Sequence, residues 1–417
     1  GPAWLLEGKL ALPDGPALSG SLQPGLQWTG AVEVADLGRT VERYLRAPLG
    51  DSLPLFERIA AKGRVRVQAA GTSRTASGGL TLEDVDLAGT GGYVTMSGLG
   101  AVLPFDLRWE ETGLTGPPKQ GTIEFDGMEV AGLTLAALKS GVVLLGDDLT
   151  FEEKLTVPIL GGEVRLEALR LQDLFFPSRH LRSGVLITGI ALPEVARAFG
   201  LPPLEGSVEA LFPEVRLDAN TLEAEGGGEI GLFGGTVHLA GISGQDVLTR
   251  FPKLQLSATF EGIDLGRVTK VFDFGEISGV VAGYVRDLRL FRGVPVSFES
   301  AVQSVPTEGV RQFVNVKAVR NLTILGTGAK ISPLDRGLQR FFDKYTYAAI
   351  GLYMKLENDV FVLRGTAGTK EGRELFVRGR LPFPINIVNA QPGKTVSFSS
   401  MVERLKSVDF STATSAP

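Results

Sequence analysis

Apolar and polar residues alternate along most of this chain, which is the pattern of strands that bury one face. The alternation is clearest in 8–12 (GKLAL), 79–89 (GLTLEDVDLAG), 254–262 (LQLSATFEG), 313–319 (FVNVKAV) and 352–365 (LYMKLENDVFVLRG). Glycine or acidic residues separate such runs, as hairpin turns require. The pattern therefore predicts many antiparallel strands joined by tight turns.

Helical spacing is rarer than strand alternation in this sequence. Residues 334–348 (LDRGLQRFFDKYTYA) are predicted to form the longest helix. Its apolar face consists of Leu334, Leu338, either Phe341 or Phe342, and Tyr345. The motif DLGR at 36–39 opens a second helical stretch, and the same motif recurs at 264–267.

One segment of the chain occurs twice. Residues 157–217 align with 230–290 without a gap, at an offset of 73 residues. Each copy predicts the same order of elements, which is a Gly-Gly turn, a strand, a Gln-Asp pair, a short helix and a glycine that restarts a strand. The shared residues are Gly161-Gly162 and Gly234-Gly235, Gln172-Asp173 and Gln245-Asp246, and Gly206 and Gly279. The apolar helix faces, expected to be core, are Leu192, Val195 and Phe199 in one copy and Leu265, Val268 and Phe272 in the other.

The repeat suggests four sections of chain. We predict a β-rich segment with a degenerate repeat in 1–156, one repeat unit in 157–229 and a second in 230–302. Residues 303–417 are predicted to form a C-terminal β-rich segment with one amphipathic helix.

Composition excludes several classes of protein. The chain has 417 residues, of which 43% are hydrophobic and 54 are glycine, and it contains no cysteine, which excludes disulfides, iron–sulfur clusters and thiol nucleophiles. Its net charge is −5, and Lys and Arg are scattered singly. We therefore expect no nucleic-acid partner, because binding to phosphates needs a basic stripe.

Residue types that carry chemistry are scarce. The only histidines are His180 and His238, which occupy different positions of the repeat. The acidic pairs Asp147-Asp148 and Glu152-Glu153 fit a solvated hairpin better than a catalytic pair, and the Gln-Asp pairs fit turns. We therefore predict no catalytic residue, no metal site, no cofactor and no enzymatic activity.

The remaining question is what covers the apolar face. One short helix per repeat cannot cover all the strands, so we predict a mostly β, elongated, repetitive antiparallel sheet, folded into a taco-like groove with a few short helices. Such a groove suits acyl chains, because each CH₂ group exposed to water costs about 0.8 kcal/mol. The candidate groove residues are the inward strand positions Val164, Leu166, Val237, Leu239, Leu256, Phe260, Val314, Val316, Leu352, Met354 and Leu356.

The repeated units resemble a known family. The segments GGEVRLEAL…GIALPEVARAFGLPPLEGSVEAL and GGTVHLAGI…GIDLGRVTKVFDFGEISGVVAGY look like the periplasmic repeats of the AsmA-like family of Gram-negative bacteria, over residues 157–300. The resemblance implies a β-taco in the periplasm that carries phospholipid towards the outer membrane. It also implies an inner-membrane anchor, which we expect to lie outside this sequence because the initial Gly-Pro resembles a protease-cleaved tag.

Other functions fit parts of the same pattern. An envelope scaffold or outer-membrane assembly factor would bind protein partners through exposed strand edges. An adhesin-like repeat protein would favour calcium-binding Asp motifs, and an enzyme would need converging polar groups. The sequence favours a non-enzymatic lipid-transfer module, whose partners are phospholipid or another acyl-chain lipid and, in the envelope, possible protein partners.

Overall fold

A computed structural model describes most of the chain. The described residues are 5–13, 15–45, 59–89, 94–111, 113–130, 133–174, 176, 178–218, 221–247, 249, 251–327, 343–370, 372–380, 386–389, 393 and 395–408. About 68% of the structure is strand and 10% is helix, and every strand pairing is antiparallel. The prediction of a mostly β antiparallel sheet with a few short helices is confirmed, and the sheet is open, since it does not close into a barrel.

The chain divides into two compact units. Unit 1 comprises 1–188, 211–223 and 246–250, and unit 2 comprises 189–210, 224–245 and 251–417. The four predicted sections of chain remain predictions.

Unit 1 contains the first fourteen strands and most of the fifteenth, which pair mainly with their neighbours in sequence. They are β1 (Leu6–Ala11), β2 (Ala17–Gln23), β3 (Gln27–Val34), β4 (Ile59–Gly71), β5 (Thr75–Gly89), β6 (Val94–Glu110), β7 (Gly113–Thr115), β8 (Lys119–Phe125), β9 (Gly127–Val130), β10 (Leu133–Leu135), β11 (Leu138–Leu145), β12 (Asp148–Phe151), β13 (Leu155–Ile159), β14 (Gly162–Gln172) and β15 (His180–Ala191). Between β3 and β4 lie helix α1 (Leu37–Thr40) and a π-helical turn (Val41–Leu45). Helix α2 (Leu192–Phe199) follows β15, and strands β16 (Gly206–Leu217) and β17 (Thr221–Leu232) contribute residues to both units.

Unit 2 contains the later strands and three further helices. The strands are β18 (Gly235–Gln245), β19 (Lys253–Asp264), β20 (Ile277–Ser278), β21 (Val280–Phe291), β22 (Val294–Val305), β23 (Phe313–Asn315), β24 (Lys344–Glu357), β25 (Val360–Gly365), β26 (Thr369–Lys370), β27 (Arg373–Gly379), β28 (Ile387–Val388) and β29 (Thr395–Ser397). The helices are α3 (Leu265–Val271), α4 (Val316–Thr327) and α5 (Phe398–Val408). Among the described residues, no helix has both the length and the apolarity that a membrane crossing needs.

The repeat of the sequence is also a repeat of backbone conformation. Positive φ angles recur at the 73-residue offset in Leu160 and Phe233, Gly161 and Gly234, Ala168 and Gly241, Asp173 and Asp246, Gly189 and Gly262, and Gly206 and Gly279. The pairing of β14 shifts register between Glu167 and Arg170, and the pairing of β18 shifts at the equivalent Ala240 and Ser243. The two copies therefore share their turns and bulges as well as their hydrophobic pattern.

Both predicted repeat helices form where the sequence places them. In α3, Asp264 caps the helix by accepting a hydrogen bond from the Gly266 backbone N–H at 2.7 Å. Asp36 of the first DLGR motif caps α1 in the same way, accepting from the Arg39 N–H at 3.0 Å. Leu192 is buried, but Phe272 is 54% exposed, so its prediction as core is wrong. Phe272 follows the last helical residue, where the chain turns away. The Phe199 side chain lies outside the described part.

Two element predictions near the C-terminus are wrong in part. Residues 344–348, predicted as the end of a helix, open strand β24, where Lys344, Tyr345 and Thr346 pair with β23 and Tyr347 pairs with β27. The start of that predicted helix, 334–342, lies outside the described residues. The alternating run 313–319 forms a strand only to Asn315, and α4 begins at Val316. Val314 and Val316 fit the strand period, and Val316 and Val319 fit the helix period, so a run this short does not decide between the two.

The glycine that restarts a strand in each repeat has a steric reason. Gly206 and Gly279 have φ angles of 132° and 149°. A Cβ atom would lie 1.7 Å from the Gly231 carbonyl oxygen at Gly206, and 2.1 Å from the Tyr347 hydroxyl at Gly279. The Tyr347 hydroxyl is buried and donates to the Ser278 carbonyl at 2.8 Å, so it has no alternative position.

We therefore expect Gly206→Ala and Gly279→Ala each to lower the free energy of unfolding by about 1–3 kcal/mol, because strain of this kind is of that order. Gly231→Ala is the control, since its Cβ would meet nothing closer than 3.9 Å. Urea unfolding followed by circular dichroism measures the difference. Equal stability of Gly279→Ala and Gly231→Ala would contradict the steric account.

Candidate functional site

Seven of the eleven candidate residues lie on one face of the unit 2 sheet. Strand pairing joins Val237 to Phe260, Phe260 to Gly283, Gly283 to Val302 and Val302 to Leu352 across β18, β19, β21, β22 and β24. Two residues further along each strand, a parallel row contains Leu239, Ala258, Val285, Ser300 and Met354. Leu256 and Leu356 extend the same face by two more residues on β19 and β24.

Helices cover one part of this face. Val237 and Phe260 pack on a buried cluster of Phe233, Ile263 and Val281, to which α3 contributes Val268. Leu352 packs against the cluster that contains Ala318 and Leu322 of α4. Met354 and Leu356 pack with Met401 of α5, and Leu356 is 1% exposed. In this part, the candidate residues behave as ordinary core.

The rest of the face lies outside the clusters that pack against these helices. Its six apolar side chains are all partly buried, and none belongs to a buried cluster. We call this surface the open face, and it consists of Leu239, Leu254, Leu256, Val285, Leu288 and Leu290. Leu254 pairs with Leu290 and Leu256 with Leu288, so the side chains form a continuous apolar surface.

Two candidates in unit 2 do not reach this face. Val314 lies in β23 and is 3% exposed, within the cluster under α4. Val316 is the first residue of α4, so its prediction as an inward strand residue is wrong. The helix begins there because the Asn315 side chain accepts a hydrogen bond from the Ala318 N–H at 2.9 Å, as an N-cap does.

In unit 1, Val164 and Leu166 lie in the middle of an apolar part of the sheet. Both are partly buried in β14, and each has an apolar partner on both sides. Val157 and Ile187 flank Val164, and Leu155 and Val185 flank Leu166.

A second apolar row crosses the first five strands of unit 1. Leu10, Leu18, Val32, Val67 and Leu80 are paired in that order from β1 to β5. Two residues away on each strand lies a row without large side chains, Gly8, Gly20, Gly30, Ala69 and Gly78. The small row forms a channel floor beside the apolar row, and the Trp28 ring lies over it at Gly30. Sequence reasoning missed this row, because it depends on strand register.

A cavity lies under the helix-covered part of the unit 2 face. Its volume is about 130 Å³, and only apolar side chains contribute to its surface. They are Phe298, Leu322, Leu352, Met354, Phe361, Leu363, Phe376, Phe398 and Met401. A void of this size costs about 3 kcal/mol when no hydrocarbon fills it, at roughly 24 cal/mol per Å³. Sequence reasoning named Leu352 and Met354 but not the cavity.

Helix α5, which closes the cavity, is fastened by the β24–β25 turn. Asp359 of that turn accepts hydrogen bonds from the Ser399 N–H and the Ser397 hydroxyl, each at 2.7 Å. Its carbonyl accepts from the Phe398 N–H at 2.9 Å. These bonds, led by the one from the Ser399 backbone, lower the pKa of the Asp359 carboxyl. The apolar spacing of Phe398, Met401 and Val402 is the sequence signal that predicts this helix, and sequence reasoning passed over it.

The polar groups singled out in the sequence have structural roles. His238 lies on the face opposite Leu239, with its Nδ1 atom 3.2 Å from Glu229 Oε1. His180 Nδ1 lies 2.9 Å from the Ser178 carbonyl oxygen. Each Gln-Asp pair ends a strand, and the carbonyls of Asp173 and Asp246 accept turn hydrogen bonds at 2.9 and 3.0 Å.

The one group of three acidic residues close enough to share a cation, among the residues described, is Asp147, Asp148 and Asp173. Asp148 accepts from the Gln172 side chain and from the Asp173 N–H, each at 3.2 Å, and so holds the end of β14 in place. Partial burial raises the pKa of the Asp147 carboxyl, and the negative charges of Asp148 and Asp173 add to the effect. The cluster is therefore explained by the hairpin it closes.

Comparison of the chain with protein-family models, with curated proteins and with solved structures found no match. The likeness to AsmA-like repeats thus remains an expectation from the sequence.

Asp147 provides a test of the acidic cluster. Because its pKa is raised on folding, the folded state prefers the neutral carboxyl and loses stability as pH rises through the ordinary pKa towards the raised one. We expect Asp147→Asn to raise the urea midpoint at pH 7 and to have little effect near pH 3, below about 3.9. Asp148→Asn, which weakens two hydrogen bonds, serves as the control. A lower midpoint for Asp147→Asn at pH 7 would contradict this assignment.

Asp359 provides a test of how α5 is held. We expect Asp359→Ala to speed hydrogen exchange in 398–403, since it removes the side-chain acceptor of the first helical turn. The lowered pKa means that this contribution is present above the ordinary pKa and is lost as pH falls through the lowered one. Glu357→Ala is the matched control, because that exposed carboxylate interacts with Lys355. Unchanged exchange in Asp359→Ala would show that packing and the backbone bond from Phe398 hold the helix without the carboxylate.

Proposed function

We propose that this protein is a non-enzymatic lipid-transfer module, whose apolar sheet faces hold the acyl chains of phospholipids. The observation that carries the proposal is the open face of unit 2, with six partly buried apolar side chains. The apolar row of unit 1, from the exposed Leu10 to the partly buried Leu80, adds a second apolar surface.

The energetics of lipid transfer match such a surface. A phospholipid that leaves a bilayer exposes its CH₂ groups at about 0.8 kcal/mol each, which sums to the order of 20 kcal/mol for two long chains. An apolar face that accepts the chains removes most of this cost, while the headgroup stays in water. The transfer needs no reacting group.

The cellular location of this transfer is proposed from the resemblance of the sequence to a known family. Residues 157–300 resemble AsmA-like repeats, which supports a place in the periplasm, an inner-membrane anchor outside this sequence and transport towards the outer membrane. Envelope proteins at either end of the path would be further partners.

One observation favours a second candidate function, an envelope scaffold that binds protein through a strand edge. All six residues of β1 are exposed, and within the described ranges β1 pairs only with β2. A partner strand would add to this edge by backbone hydrogen bonds. The charged side chains of Glu7 and Lys9 on β1 argue against this second function, because charges on an edge strand discourage pairing with another strand.

Lipid extraction from the purified full chain, followed by mass spectrometry, tests the proposal. We expect phospholipid in fixed stoichiometry, and a loss of at least about tenfold in Leu256→Asp, because a carboxylate in an acyl site leaves a charge without a partner. Thr259→Asp is the matched control, since Thr259 lies on the same strand and is exposed on the opposite face. Transfer of a fluorescent phospholipid between vesicles should fall in parallel.

The same comparison in unit 1 uses adjacent residues on opposite faces, Val67→Asp and Gln68→Asp. The lipid content of a variant is compared with that of the wild type only if its urea unfolding remains cooperative, which shows that the variant is folded. Wild-type protein that carries no lipid, transfers none and unfolds cooperatively would overturn the proposal. That result would leave the strand-edge scaffold as the function to pursue.

A further inference from the structure

The cavity of unit 2 has the properties of a hydrocarbon site. Its volume is about 130 Å³, and no polar atom contributes to its surface. A cavity of roughly 150 Å³ lined by Leu, Ile and Phe stays dry and binds benzene. A site of this kind accepts about six carbons of a hydrocarbon, and it excludes water and a lipid headgroup because it has no hydrogen-bonding partner to offer.

The cavity lies at the end of the rows that form the unit 2 face. Leu352 and Met354 line it, and strand pairing connects them through Val302 and Ser300 to the strands that carry the open face. Ser300 does not interrupt the apolar surface, because it is buried and its hydroxyl donates to the Tyr284 carbonyl at 2.8 Å.

The lining is suited to a flexible occupant. Two of the four methionines of the chain, Met354 and Met401, face this cavity. Methionine side chains are unbranched and adapt to apolar groups of varying shape. On the helix side the wall consists of Leu322, Phe398 and Met401, and Asp359 fastens the helix that carries the last two.

We propose that this cavity binds the methyl-terminal end of an acyl chain whose remaining length lies on the unit 2 face. The inference rests on the proposed lipid function and adds that the cavity sets the position of the chain's methyl end. The headgroup then projects from the open face near Leu239 and Leu256, and chain length decides how well a lipid fills both regions.

Benzene tests the cavity itself, without any lipid. We expect saturating benzene to raise the thermal midpoint of the full chain by about 2–5 °C, since it binds only the folded state. Leu363→Phe fills the cavity and should abolish the shift. Val362→Phe adds a similar volume on the opposite face of β25 and should retain it. If Leu363→Phe does not fold, Met401→Phe on α5 takes its place. A shift that persists in a folded, filled variant would overturn the inference.

Two photoreactive phospholipids test where the chain lies. One carries a diazirine at the methyl end of an acyl chain, and the other carries it near the ester. We expect the first to label peptides that contain Met354 or Met401, and the second to label those that contain Leu239 or Leu256. Labelling of the open face by both would overturn the cavity inference and leave the lipid function intact. Absence of labelling together with lipid-free protein would refute the lipid function itself.

Discussion

Most strands of this sheet have one apolar side, and the sheet must keep that side from water. Antiparallel pairing gathers the apolar sides of neighbouring strands on one face, since side chains alternate with a period of two. In unit 2, the helices determine which part of that face is buried. Where α5 lies, Leu356 and Phe361 are 1% and 2% exposed. Beyond the helices, Leu239 and Leu256 are only partly buried.

The repeat preserves the position of its helix but not the residue that caps it. Asp264 caps α3, whereas the equivalent Ala191 before α2 makes no side-chain cap hydrogen bond. In both copies a glycine then restarts the strand in a conformation that other residues adopt only with strain. A helix of two turns covers only a few strands, so repetition of the unit adds apolar sheet faster than it adds cover. The open face results from this imbalance.

The two parts of the unit 2 face differ in access, because helices cover one part and leave the other open. The proposed function uses this difference. Hydrocarbon needs only apolar surface, so a protein that handles acyl chains can work without histidines, carboxylate pairs or metal ligands in its site. The apolar cavity under α5 would then be the inner end of the path and the open face its accessible part. The alternative strand-edge function needs none of this apolar surface, which is why lipid content separates the two.

Much of the architecture was predictable from the sequence, because it depends on residues close together in the chain. Period-two alternation predicted the strands, the spacing of Leu192 and Val195 predicted a repeat helix, and the 73-residue offset predicted shared turns. Seven candidate groove residues lie on one face, since alternation alone assigns a side to each strand residue. Where two periods fitted equally well, as at Val316, local pattern was insufficient.

The tertiary structure decided which part of the apolar face is core and which is open. Residues 344–348 have helical spacing but form a strand, because this part of β24 pairs with β23 and then with β27, which come from distant parts of the chain. The cavity brings together Phe298, Phe361 and Phe398, which are spread over about a hundred residues of the chain. Strand register aligns the glycine row of unit 1 in the same manner. The sequence by itself determined which side of each strand is apolar, whereas cover, cavity and channel depend on contacts between distant segments, which no local period encodes.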